Sequence, residues 1–166
     1  MNGKNKLDEY IYLAYLTEPR EVGESTKRSP QHLTLVPPFR FGIPLSELKE
    51  AVHEVAEGTS TFQIKVAKEA KFGPNHNINV FLVEPADVVK MLHFQLMYKL
   101  QSAGVSLPTN YVYDAFVPHI RIRPVHKTNL AEGQLLNVDH LAIMHKNKGY
   151  RTLLAKEELR SGQTKV

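Results

Sequence analysis

A chain of 166 residues can bury one full core, or two small lobes sharing one, and nothing in it calls for a second independent domain, so one domain over 1–166 is expected. With 42% hydrophobic and 23% charged residues it falls among ordinary soluble globular proteins, and the absence of cysteine excludes a disulfide framework and all thiolate chemistry. The formal charge of +4 suits an anionic ligand without demanding one.

The opening segment Met1 to Lys6 is polar, and the apolar run Tyr10 to Leu16 is too short for a signal sequence or a spanning helix. A cytoplasmic monomer with no membrane partner is the expectation. That same run is rich in aromatic and branched residues and predicts a buried strand; Glu18 to Pro30, with Pro, Gly and Ser, predicts a loop. A second strand begins at Gln31, carries His32-Leu33-Thr34-Leu35-Val36, and is expected to stop at Pro37-Pro38, because proline cannot donate to a ladder. Leu48, Val52 and Val55 at helical spacing predict a helix over Ser46 to Glu57, with Gly58 as a left-handed cap.

Two strands, Phe62 to Ala70 and Asn77 to Glu84, flank the turn signal Gly73-Pro74-Asn75 and read as a hairpin. Val88, Met91, Leu92, Leu96 and Leu100 mark the stripe of a long helix from Ala86 to Ala103, closed by Gly104. Further strands are expected over Val117 to Val125, Val138 to Met144 and Gly149 to Leu154. Strands outnumber helices without strict alternation, which favours an α+β fold with antiparallel sheets.

One internal echo crosses this pattern. His32-Leu33-Thr34-Leu35-Val36-Pro37 and His119-Ile120-Arg121-Ile122-Arg123-Pro124 share the frame His, apolar, polar, apolar, any residue, Pro. Side chains alternate along a strand, so His32 and Thr34 share one face, and His119, Arg121 and Arg123 share another, with the apolar residues behind them. Opening or closing a phosphodiester needs one group to take a proton and another to give one. Imidazole, with an ordinary pKa of about 6.5, does both near neutral pH. A hydroxyl from Thr34 and a guanidinium from Arg121 would hold the non-bridging phosphoryl oxygens, and no metal or cofactor is required. A single histidine on an isolated strand would carry no such meaning; the matched frame is what singles out this pair among eight histidines.

The two motifs resemble those of the 2′-5′ RNA ligase and cyclic phosphodiesterase group of the two-histidine phosphoesterase superfamily, over about Tyr10 to Leu159. His32-Leu33-Thr34-Leu35-Val36-Pro37-Pro38-Phe39 is similar to the family's first signature, and Phe116-Val117-Pro118-His119 to its second. Phe72-Gly73, the strand Asn79 to Glu84, Leu92-His93, Leu141 to Met144 and Gly149-Tyr150 also fall where the family has similar residues. The resemblance implies a bilobal, pseudo-twofold duplicated α+β fold, with two antiparallel sheets facing a central cleft and helices outside. It implies activity on 2′,3′-cyclic phosphates or 2′-5′ linkages of RNA ends or small nucleotides. His32 and His119 then carry over as the acid–base pair and Thr34 as a phosphate ligand. Arg121 departs from the pattern, which has Thr or Ser there. It either strengthens phosphate binding or fills the phosphate's place, and in the second case the protein is a silent binder of nucleotides or RNA ends.

Phe39, Tyr113 and Tyr150 are candidates for stacking on a base, set against ordinary packing. Arg40, Lys65, Lys68, Lys71, Arg123 and Lys127 are candidates for a basic rim, set against a solvated surface. Asp139, His140 and His145 invite a metal reading, but alternation puts the two histidines on opposite faces and supplies no third ligand.

Overall fold

The computed structural model describes residues 10–40, 42–123 and 130–161. The segment Met1 to Lys6, Pro124 of the second motif, the end of the strand expected to reach Val125, and the rim candidate Lys127 lie outside these. Nine strands are present among the described residues: β1 Tyr10–Leu16, β2 Ser25–Thr26, β3 His32–Phe39, β4 Phe62–Phe72, β5 Ile78–Glu84, β6 His119–Arg121, β7 Leu135–Val138, β8 His140–Asn147 and β9 Tyr150–Glu158. Two α-helices, α1 Leu45–Glu57 and α2 Ala86–Ser102, and a 3-10 turn over Tyr113–Ala115 complete the described elements.

The strands form one antiparallel sheet in the order β2-β9-β8-β1-β3-β6-β5-β4-β7. This corrects the expectation of two separate sheets. The five strands on one side and the four on the other meet where β3 pairs with β6 at Leu33↔Ile120. A single residue, Asp139, carries the chain from the β7 edge to β8, deep in the other half, so the sheet bends back on itself. The same end is tied by Ser60↔Arg160, a parallel bridge between the residues before β4 and after β9.

β1 is apolar at successive positions because both its faces are covered. Ile11, Leu13 and Tyr15 join the main core, while Tyr12, Ala14 and Leu16 pack with Ala142, Met144 and Leu153 on the other face. The prolines of β3 do not end it. Between Ile11↔Phe39 and Leu13↔Val36 the register shifts, so Pro37 and Pro38 fall in a bulge where a ladder donor is not needed.

The strand expected over Val138 to Met144 is instead divided at Asp139 between β7, paired with β4, and β8, paired with β1 and β9. β9 extends to Glu158 beyond its expected end, and Lys148 and Gly149, both at positive φ, make the hairpin turn.

Helix α1 buries Leu48, Ala51, Val52 and Ala56, and its end differs from expectation. Gly58 has φ −88°, outside the left-handed region; the Thr59 hydroxyl donates to the Val55 carbonyl instead. Helix α2 does end on a left-handed glycine. Gly104 has φ +99°, its N–H reaches the Gln101 carbonyl, and the Val105 N–H reaches Leu100, a Schellman closure. Its buried stripe is Val89, Leu92, His93, Leu96, Met97 and Leu100, while Val88 and Met91, expected inside, are 42% and 59% exposed. The stripe is displaced because its central member is a histidine, which apolar periodicity passes over.

Candidate active site

The register of the β3–β6 junction sets the site. Leu33 and Ile120 pair and point together into the core, both fully buried. One residue to either side of that antiparallel pair, Thr34 stands across from His119 and His32 across from Arg121, all four on the opposite face. These four residues, with Ser29 and Arg123, line a pocket of about 210 Å³. That is smaller than the roughly 300–1,000 Å³ of sites that enclose a drug-sized ligand. It suits a reacting group and its immediate neighbours, with the rest of a larger ligand at the rim.

The two imidazoles are held alike. Nδ1 of His32 lies 2.7 Å from the carbonyl of Pro30, and Nδ1 of His119 lies 2.8 Å from the carbonyl of Val117, in each case two residues back. A carbonyl only accepts, so each bond fixes the tautomer with the proton on Nδ1 and gives proton transfer to Nε2. Each ring also packs on an aromatic neighbour: His32 on Tyr12 at 5.2 Å between centroids, His119 edge-on to Phe72 at 4.7 Å. Half-burial lowers the pKa of His119 below the ordinary imidazole value, and the bond to Val117 only partly offsets it. Burial, and not repulsion from the neighbouring Arg121, is what shifts it.

Two buried polar residues brace the strands. Gln31, just before His32, receives the Thr17 hydroxyl on its side-chain oxygen at 2.9 Å and gives its N–H to Glu18 at 3.0 Å. His93, fully buried on α2, joins the two motifs directly. Its Nδ1 donates to the carbonyl of Leu35 in β3 at 2.7 Å. Its Nε2 accepts the N–H of Tyr113 at 2.9 Å, and its ring stacks on Phe116 at 4.1 Å, three residues before His119. With both nitrogens so engaged and desolvated, His93 is neutral and its pKa is lowered by burial.

The remaining candidates divide. Arg123 lines the pocket, but Phe39 is 3% exposed and shares the core face of β3 with Leu33, so no base can stack on it. Tyr113 packs on Phe94 beside His93 and is not a pocket wall; Tyr150 is exposed at the β8–β9 turn, also away from the lining. Arg40 sits over the ring of Tyr10 and Lys71 bonds Asn79, which leaves them as surface contacts. Lys65 and Lys68 of β4 are not in the lining either. Asp139 and His140 form a structural pair: Nδ1 donates to the carboxylate at 2.7 Å and Nε2 accepts the N–H of Leu16.

Sequence reading passes over Ser29 and Tyr12. Tyr12 donates or accepts at Ser29 Oγ, 2.9 Å away, and Arg151 Nε donates to the same oxygen at 3.1 Å. Alternation along β1 already puts Tyr12 on the face away from Ile11 and Leu13; nothing local marks Ser29, which sits in the loop.

Solved structures share this architecture. TT0787 of Thermus thermophilus superposes with a TM-score of 0.66 at 20% identity, covering 93% of this chain and 100% of that one. E. coli LigT crystallised with 3′-AMP gives 0.57 at 15% identity over 91% of this chain and 98% of its own. At such identities the likeness is one of fold. In sequence, a Geobacillus thermodenitrificans protein that carries the provisional name of a phosphoesterase is 38% identical over 94 residues, 56% of this chain. A second, from Geobacillus kaustophilus and named likewise, is 34% identical over the same length. The chain matches these curated relatives over about half (50%) of their length. The family model of the 2′-5′ RNA ligase superfamily matches residues 15–149, a span that holds both histidine motifs and the α2 brace between them. That match covers most of the chain, and the protein therefore belongs to the 2′-5′ RNA ligase superfamily.

Proposed function

We propose that the protein is a metal-independent phosphoesterase that acts on a 2′,3′-cyclic phosphate or a 2′-5′ phosphodiester of an RNA end or small nucleotide, with His32 and His119 as its acid–base pair. One observation carries this reading. Two imidazoles with the same Nδ1 tether line one pocket together with a hydroxyl and a guanidinium.

In hydrolysis of a cyclic phosphate, water attacks phosphorus while one Nε2 takes its proton. The bond to the leaving ribose oxygen breaks as the other Nε2 supplies a proton to it, and a phosphomonoester remains. Burial favours the neutral form of His119, which suits the proton-accepting role, and His32 then serves as the donor. Thr34 and Arg121 bind the non-bridging oxygens as charge gathers on them. Arg121 is exposed at the end of β6 and lines the pocket rather than being buried in it, which favours a working site over a plugged one. The matched tethers of His32 and His119 further support reading the chain as a duplicated, two-lobed single domain. LigT structures with 3′-AMP and with phosphate fit a ligand of this class.

The test is turnover of adenosine 2′,3′-cyclic phosphate and of a 2′-5′ linked diadenylate in the presence of EDTA. A phosphomonoester or cleaved dinucleotide should form at a rate that EDTA leaves unchanged. Tight nucleotide binding with no turnover of either compound would make the protein a silent binder.

A further inference from the structure

The pocket is charged far more strongly on one flank than a single phosphodiester needs. Arg123 lines it. Arg151, on β9, donates to Ser29 of the same lining at 3.1 Å. Across the ladder Arg151 stands directly opposite Lys146, on the face shared with Met144, Tyr12 and Leu153. Like charges opposite one another on a sheet are unfavourable, so this arrangement works against the fold unless something negative lies over it. Arg28, next to Ser29, is close enough to Arg123 to repel its charge, as are Arg121 and Arg151, and the Arg123 pKa is lowered by its burial and by these three neighbours. Among the described residues no carboxylate forms an ion pair with Arg28, Arg121, Arg123 or Arg151, whereas nearby Arg20 is neutralised by Glu18 at 3.0 Å.

We propose that Arg28, Arg123 and Arg151 form a second anion subsite beside the two-histidine pocket, for a substrate that carries a further phosphoryl group of charge two or more. A terminal monophosphate or a pyrophosphate meets that description. An internal phosphodiester of an RNA chain brings one charge per phosphate, spread along an extended backbone. Three guanidiniums gathered at one flank match a compact multiple charge better, since each can give paired donors to phosphoryl oxygens. The identity of the reacting group rests on the acid–base reading of His32 and His119; the subsite itself does not.

Two measurements separate these claims. The first compares kcat/KM for adenosine 2′,3′-cyclic phosphate with and without a 5′-phosphate. In the natural protein the 5′-phosphate should raise kcat/KM by about tenfold or more, the scale of one charge-assisted contact. In Arg123→Ala and in Arg151→Ala the ratio between the two substrates should fall towards one, with part of it restored in Arg151→Lys. A ratio near one in the natural protein, or a ratio untouched by both alanine variants, overturns the subsite. The second titrates inorganic pyrophosphate by calorimetry at fixed ionic strength. Pyrophosphate should bind at least about tenfold more tightly than sulfate and lose that advantage in Arg123→Ala and Arg151→Ala. If neither the cyclic nucleotides nor the 2′-5′ diadenylate is turned over, the acid–base reading fails while this result still upholds the subsite. Equal binding of pyrophosphate and sulfate rejects the subsite whatever the turnover.

Discussion

His32 and His119 stand on neighbouring strands, and each commits its Nδ1 to the carbonyl two residues before it, Pro30 at 2.7 Å and Val117 at 2.8 Å. Proline stands at both tethers: Pro30 supplies the first carbonyl, and Pro118, between Val117 and His119, disfavours a helical backbone at Val117. The shared geometry makes one nitrogen of each ring, Nε2, the site of proton transfer.

From this follows the shape of the pH profile. Burial lowers the pKa of His119, so the acid limb of kcat/KM should have its midpoint below the ordinary imidazole value of about 6.5. Replacing Phe72 by Ala opens the ring to water and should move that midpoint up. An acid limb above the ordinary value, or one that Phe72→Ala does not shift, would count against His119 as the base.

Arg121 separates a working site from a blocked one. Arg121→Ala should weaken phosphate binding and lower kcat/KM together, by about tenfold or more for a lost charge-assisted bond. Arg121→Thr should retain measurable activity. Should Arg121→Thr instead bind and turn over cyclic nucleotides that the natural protein ignores, the arginine is a plug.

The brace on α2 predicts a coupled loss. His93→Phe preserves stacking on Phe116 but strands the Leu35 carbonyl and the Tyr113 N–H, which should cost on the order of 2–4 kcal/mol. Because those groups lie on the two segments that position Thr34 and His119, kcat/KM should fall as well. Urea unfolding and steady-state kinetics on one preparation check both, and an unchanged midpoint of unfolding would refute the brace.

Three histidines also set how stability depends on pH. His93, His119 and His140 all have pKa values lowered by burial, so the unfolded chain binds more protons than the native one in the window below the ordinary value. Their contribution is complete above about pH 6.5 and is lost as pH falls through the native values. His53, exposed and bonded to Glu157, is shifted the other way, but solvent screens it. Thermal unfolding should therefore show a Tm that declines below about pH 6.5, less steeply in His93→Phe. A Tm that rises on acidification through this range would contradict the assignment of neutral buried rings.

The chemistry of the site is legible in the sequence because alternation is local. Knowing that residue 32 or 119 is in a strand fixes which neighbours share its face, and Thr34 and Arg121 follow; Arg123 reaches the pocket from just past the end of β6. What escapes depends on contacts far along the chain. The bulge that lets β3 run through Pro37 and Pro38 is set by β1, and the division of β7 from β8 by partners on opposite sides of the sheet. The phase of α2 is displaced because His93 is buried by the two groups it bonds, and no hydropathy pattern registers that. Phe39 reads as a rim aromatic beside its motif, whereas the bulge turns it onto the core face opposite Ile11. The link between Ser29 and Arg151 joins positions 122 residues apart.

The central claim is that His32 and His119 act together on one phosphate, and its most direct measurement is kcat for a 2′,3′-cyclic nucleotide in His32→Ala and His119→Ala, assayed with EDTA. Each replacement should lower kcat by at least about 10²-fold, the usual contribution of a general acid or base, while circular dichroism shows the fold intact. Undiminished turnover in either variant, or activity that returns only with an added divalent metal, would contradict the account.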